Sequence, residues 1–136
     1  MDKKRLLNGA FWIIFIGLLG VFAYTKGWIL TNFESISSTQ AYNLLQSNEN
    51  VAILDVRTPQ EYSEGHIEGA ILAPVQTLQN DLAQIAKVKN QKIIVYCHSG
   101  NRSVAASRIL VQNGFTPFNL KGGITDWKAN GFATVQ

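Results

Sequence analysis

Cysteine is almost absent from this sequence. Cys97 is the only one in 136 residues, which excludes an internal disulfide, a Cys-x-x-Cys redox pair and a thiolate zinc site. Histidine is nearly as scarce, with His66 and His98 alone, so no metal centre is expected. Basic runs are missing from most of the chain. From residue 31 onward eight basic residues balance eight acidic ones, and none of them interleave with aromatics as a nucleic-acid surface requires. No internal repeat or low-complexity tract occurs. The length suits one domain with a real core plus an appendage.

What the chain does have in excess is apolar sequence at its N-terminus. Between Arg5 and Lys26 stand twenty residues without a formal charge, LLNGAFWIIFIGLLGVFAYT. As a helix they reach about 30 Å, the thickness of a bilayer's hydrocarbon core. Asp2-Lys3-Lys4-Arg5 precedes the run, and the positive-inside rule keeps that end in the cytoplasm. Trp12, Tyr24 and Trp28 lie toward the ends, where amphipathic aromatics prefer to sit. Residues 1–30 therefore read as a transmembrane anchor or a signal segment. In the first case the rest faces the periplasmic or extracytoplasmic side of the cytoplasmic membrane. In the second, cleavage near Val21-Phe22-Ala23 leaves a free periplasmic domain, although the run is longer than a usual signal core and lacks Ala-x-Ala.

Residues 31–136 read as the functional domain, with a polar linker over about 26–36. Ser37 and Gln40 form a capping-box signal. Ala41, Leu44 and Leu45 fall on one face of the helix it opens, which is expected to end near Asn48-Glu49-Asn50. VAILD (51–55) has the pattern of a fully buried strand. Thr58-Pro59-Gln60-Glu61 starts a short second helix, with a threonine cap, proline at the first position and glutamate at the third; it stops at Gly65. A brief strand is expected over Ala70–Ala73, before Pro74. Leu78, Leu82, Ile85 and Ala86 have helical spacing. KIIVY (92–96) is the most β-prone run. A helix is predicted over about Ser103–Gln112, with Val104, Ala105, Ile109 and Leu110 as its buried stripe and Asn113-Gly114 as its stop. FNL (118–120) makes a last strand, and Gly122-Gly123 opens a final helix carrying Trp127 into the core. Buried strands alternating with helices argue for an α/β domain with a mainly parallel sheet.

In such sheets ligands collect where the carboxyl end of a strand turns into a helix. Cys97 stands at that point, in the stretch CHSGNRS (97–103). Unpaired amides at a helix start, together with the helix dipole, favour a thiolate. Gly100 lets the backbone curl so that successive N–H groups converge into an anion-binding nest. Arg102 adds a permanent cation whose fork suits oxyanions, and Ser99 and Ser103 can hydrogen-bond sulfur or cap the helix. The parts together describe a nucleophilic sulfur in an anion cradle. An inert buried thiol is the alternative for Cys97, but it leaves the glycine and arginine that follow unexplained.

Cys-x-x-x-x-Arg between strand and helix resembles the active-site loop of the rhodanese (sulfurtransferase) family. Leu54-Asp55-Val56-Arg57, Glu61-Tyr62 and Gly65-His66-Ile67-x-Gly69-Ala70 are similar to its "LDVR…E(F/Y)…GHIxGA" segment. Val95-Tyr96 precedes the cysteine as the family prefers, and Leu120-Lys121-Gly122-Gly123-Ile124-x-x-Trp127 resembles its closing signature. The likeness covers residues 36 to about 133. His98 departs from it, since many members carry arginine or another residue there.

The resemblance implies a three-layer α/β domain with a central, mainly parallel five-stranded sheet flanked by helices and preceded by one hydrophobic N-terminal helix. It implies sulfur transfer through a Cys97 persulfide, from thiosulfate or a similar small donor to cyanide or a thiol, with a sulfur-relay protein as a further partner and no cofactor. Arg102, His98, Ser99, Gly100, Asn101 and Ser103 are the expected substrate-binding residues, with Arg102 on the sulfonate oxygens of the donor. Asp55 and Arg57 are expected to support the site by pairing, and His66 to order the turn after the short helix. Two alternatives stand beside this reading. One is a membrane-tethered persulfide carrier without rapid turnover. The other is phosphatase or arsenate reductase chemistry, whose loops are one residue longer and which needs an aspartate acid not evident here.

Overall fold

The computed structural model describes residues 2–47 and 49–136; Met1 and Asn48 lie outside them. It separates into two compact units, residues 1–31 and 32–136.

The first unit is dominated by helix α1, Lys3–Thr25. None of its residues is buried, so it is not the core helix of a globular fold. It is long and apolar enough to cross a membrane, which suits either an anchor or a signal segment.

The second unit is built on five strands, β1 (Glu34–Ile36), β2 (Val51–Asp55), β3 (Ile71–Leu72), β4 (Lys92–Tyr96) and β5 (Thr116–Leu120). They form one sheet in the order β1-β5-β4-β2-β3, and every pairing is parallel. Helices α2 (Ser38–Gln46), α3 (Pro59–Glu64), α4 (Leu78–Asp81), α5 (Asn101–Gln112) and α6 (Gly123–Ala129) make the crossovers and the end, with a 3₁₀ segment over Leu82–Val88 continuing α4. Both capping boxes are formed. The Ser37 and Thr58 hydroxyls accept from the third helical amides, and Gln40 and Glu61 return the bond to the cap amides.

The central strands are buried on both faces, as expected of parallel strands between helical layers. Side-chain parity divides the core. Ile93, Val95 and Cys97 pack with Leu54, Leu78, Ile85, Ala106 and Leu110 on one face. Ile94 and Tyr96 pack with Ala41, Ile53, Leu120, Ile124 and Trp127 on the other. Cys97 thus continues the α5 face of β4, while Tyr96 belongs to the α6 face.

Several boundaries differ from the sequence expectation. The last residues of the presumed linker, Glu34–Ile36, form the edge strand β1 against β5. Three residues of mixed polarity are too few to show an alternating pattern. The brief strand at 70–73 shortens to Ile71–Leu72, and β5 begins at Thr116, two residues before FNL. Helix α2 ends at Gln46; Asn48 of the expected stop lies outside the described residues. Ala86 is exposed on the 3₁₀ segment, whose tighter winding breaks the 3.6 period on which its spacing was read. In α5 the buried residues are Ser103, Val104, Ala106, Ser107 and Leu110, and Ala105 is exposed. Of these, the small residue Ala106 packs in the core cluster with Ile93 and Val95 of β4.

Candidate active site

The parity of β4 delivers Cys97 to the carboxyl end of the sheet, buried to 1% exposure. Three residues on, Gly100 takes φ +116° and serves as N-cap of α5, a conformation that strains any residue with a Cβ. This turn aims the Gly100 N–H at the Cys97 Sγ, 3.1 Å away. Helix α5 therefore starts at Asn101, two residues before the Ser103 start read from the sequence. The Sγ lies 3.5 Å from the Ser103 Oγ and donates toward it. The sulfur thus sits between a backbone donor and a buried hydroxyl at the start of a twelve-residue helix. An anion on that sulfur would meet the positive end of the helix dipole.

The other side of the loop is fixed by α6. Its first amides reach back across the chain: Ile124 N–H donates to the Cys97 carbonyl at 2.9 Å and Thr125 N–H to the His98 carbonyl at 3.2 Å. The Thr125 hydroxyl adds a bond to the same His98 oxygen at 3.0 Å. The approach is so close that a Cβ on Gly123 would lie 2.4 Å from the Cys97 carbonyl oxygen and 2.5 Å from that of His98. Gly123 is thus glycine for space as well as for its φ of +59°. A trans peptide points its C=O and N–H in opposite directions. Holding these two carbonyls against α6 therefore turns the N–H groups of His98 and Ser99 away from that helix.

Of the other expected loop residues, His98, Ser99 and Asn101 are exposed. The His98 ring lies 3.4 Å from the Thr125 hydroxyl. Arg102 is half-buried and committed in a way the sequence reading did not anticipate. Its two terminal nitrogens donate to the two carboxylate oxygens of Glu61, both at 2.8 Å. Glu61 also accepts from the Thr58 N–H and hydroxyl in the cap of α3. Hydrogen bonds from Arg102, the largest influence, act with those from Thr58 against the opposing effect of burial and bring Glu61 down to about 2. The same contact raises Arg102. One carboxylate therefore clips the loop's last residues to α3. In the sequence Glu61 stands in a capping box and in the family-like segment, and neither pattern names Arg102 as its second contact.

Asp55 and Arg57 do pair, at 0% and 4% exposure. Arg57 Nη2 reaches Asp55 Oδ2 at 2.7 Å and the Gly65 carbonyl at 2.7 Å. Tyr96 completes the group: its hydroxyl donates to Asp55 at 2.7 Å and accepts from the Ile67 N–H at 3.0 Å. Burial, followed by the charge of Asp55, pushes the Tyr96 hydroxyl well above its ordinary range. The partner of Asp55 across the sheet is Tyr96 itself. This network holds the residue just before the nucleophile candidate and touches neither the Sγ nor the loop amides. His66 orders the turn after α3, with Nδ1 2.9 Å from the Tyr62 carbonyl and its ring stacked on Tyr62.

Beside the loop lies an open cavity of about 460 Å³ whose lining includes Arg57, Glu61, Glu64, His98, Thr125 and Lys128. Cys97 does not line it; His98, its neighbour, does. Among the described residues no cluster of three or more potential metal ligands occurs.

The domain that carries this site is similar to known proteins. A family model described as the rhodanese-like domain matches residues 37–130. The chain is 34% identical over 103 residues to a sulfurtransferase of Allochromatium vinosum, covering 75% of this chain and 94% of that protein. It is 38% identical over 112 residues to a chloroplastic thiosulfate sulfurtransferase of Arabidopsis thaliana, covering 74% and 92% of the two. Among solved structures it is similar to a rhodanese-related protein of Thermoplasma volcanium, with a TM-score of 0.64, 31% identity and coverage of 76% and 98%.

Proposed function

The chain belongs to the rhodanese-like domain family, and from that premise we propose that it moves sulfane sulfur through a persulfide on Cys97. The observation that carries the reading is the seat of the sulfur: Cys97 Sγ receives the Gly100 N–H at 3.1 Å at the opening of α5. Names given to its relatives supply the reaction class.

The cycle is a double displacement. The Cys97 thiolate attacks the outer sulfur of thiosulfate, that sulfur's bond to the sulfonate breaks, and sulfite leaves with the bonding electrons. The loop amides from Ser99 to Ser103 disperse the charge of the resulting persulfide, as fixed donors do for any developing anion. An acceptor thiol or cyanide then attacks the outer sulfur, the S–S bond breaks, and Cys97 departs as thiolate. Arg102 meets the donor from within its ion pair. A guanidinium has five N–H donors, so those not facing Glu61 are left for sulfonate oxygens.

The test pairs two measurements on the full chain in mild detergent. Thiosulfate should add one sulfur to Cys97 by mass spectrometry, and thiosulfate:cyanide turnover should follow parallel-line kinetics. Cys97→Ser should abolish both, and unchanged turnover in that variant would sink the reading. The near-complete burial of Cys97 favours a second reading, a carrier that keeps its persulfide for a partner protein. In that case the sulfur still adds but turnover is negligible. For residues 1–30 we propose a membrane anchor, with the domain on the extracytoplasmic side. N-terminal sequencing of protein from the membrane fraction tests this, because a start after Ala23 would mean a cleaved signal.

A further inference from the structure

The cavity beside the loop holds more charge than the transfer of a small anion explains. At about 460 Å³ it falls within the roughly 300–1,000 Å³ typical of sites for organic ligands, and a single tetrahedral oxyanion leaves most of it empty. Its charges fall into two sets. Arg57 is matched by Asp55, and Glu61 by Arg102. Glu64, the exposed last residue of α3, meets through its carboxylate only the neutral amide of Gln60 among the described residues, at 3.1 Å. Lys128, in the last turn of α6, has no partner for its ammonium among the described residues. The cavity is thus left with one unmatched anion and one unmatched cation on different helices. A dianion gains from Lys128 and loses to Glu64, whereas a ligand carrying both signs satisfies both.

We infer that this cavity is the acceptor subsite and that it takes a small zwitterionic thiol, an amino-acid or short-peptide thiol, with its carboxylate on Lys128 and its ammonium on Glu64. The assignment of an acceptor rests on the sulfur-transfer reading above; the ligand class rests on the cavity alone. His98 carries the cavity to the residue after Cys97. The transfer step is Cys97–S–S⁻ plus R–SH giving Cys97–S⁻ plus R–S–SH. The new S–S bond forms on the acceptor as the old one breaks, and the acceptor's proton ends on its new persulfide.

Four acceptor thiols separate the two contacts, with thiosulfate as donor to the full chain in detergent. Lys128→Gln should raise KM for cysteine and N-acetylcysteine, which carry a carboxylate, and leave cysteamine and 2-mercaptoethanol unchanged. Glu64→Gln should raise KM for cysteine and cysteamine, which carry an ammonium, and leave N-acetylcysteine unaffected or improved. Each effect should be about two- to five-fold, as expected for charge pairs made by exposed side chains. Calorimetric titration with unreactive S-methylcysteine should show weaker binding in both variants. Equal changes for all four thiols, or none, overturn the inference. If the wild-type chain forms no persulfide, the sulfur-transfer reading fails and the titration alone decides the ligand class. Binding weakened by both substitutions then upholds it, and no binding, or binding indifferent to them, overturns it.

Discussion

Replacing Gly123 by alanine tests whether the loop's shape is imposed from α6. Two penalties arise at once. The residue sits at φ +59°, where a Cβ costs about 1–2 kcal/mol. That Cβ also falls 2.4 and 2.5 Å from two carbonyl oxygens and 2.7 Å from the His98 carbonyl carbon. All three are backbone atoms and cannot rotate aside, so overpacking adds about 1–3 kcal/mol. Relieving the overlap pushes α6 off the loop and weakens the bonds from Ile124 and Thr125, each contributing about 1 kcal/mol. The expected loss is about 3–6 kcal/mol, a large part of the roughly 5–15 kcal/mol that holds a domain together. Gly131→Ala is the control, because its φ is +79° but nothing lies within 4 Å of its Cβ, leaving only the backbone penalty of about 1–2 kcal/mol. Urea unfolding of both variants, followed by near-ultraviolet circular dichroism, reads the difference. A Gly123→Ala protein no less stable than Gly131→Ala would refute the claim that the close approach of α6 shapes the loop.

Two further outcomes follow from the ion pair and the buried phenol. Glu61 is held down to about 2 from an ordinary 4.5, so its contribution to stability is fully present above about pH 4.5 and fades as pH falls toward 2. The gap in stability between the wild type and Glu61→Gln should therefore be constant near neutrality and close with acidification; a gap independent of pH down to 2 contradicts the pairing. Tyr96→Phe leaves the buried Ile67 N–H without an acceptor and removes one of the donors to Asp55, whose bonds from Arg57 remain. It should cost about 1–3 kcal/mol in thermal or urea unfolding, and a neutral substitution would remove Tyr96 from the network.

The two central strands and the helix caps were legible in the sequence because each is written locally. KIIVY and VAILD are continuous apolar runs, and Ser37/Gln40 and Thr58/Glu61 lie three residues apart. The loop could be located because Cys97, Gly100 and Arg102 are neighbours in sequence. Illegible were the contacts that depend on how distant elements meet. Glu61 and Arg102 are 41 residues apart, and no pattern within α3 says which of its side chains faces the loop. Gly122-Gly123 reads in sequence only as the opening of the last helix, whereas the contact that constrains Gly123 is the Cys97–His98 backbone, about 25 residues earlier in the chain. Lys128 carried no sequence signal at all, since a lysine in the last turn of a helix is what the helix dipole favours anyway. Edge strand β1 was missed because its evidence is the ladder with β5 rather than its own three side chains.

The alternation along β4 also makes the chain's length, more than its composition, the guardian of the thiol. Ile93, Val95 and Cys97 share one face and Ile94 and Tyr96 the other. Many apolar exchanges among Ile93, Ile94 and Val95 would leave that partition intact. Deleting one residue there, with the N-terminal pairing held to β2, shifts every later side chain across the sheet. The phenol would then face α5, and the sulfur would face the Asp55–Arg57 pair. The strand works as a two-beat counter, and chemistry at its end survives changes of letter far better than a change of count.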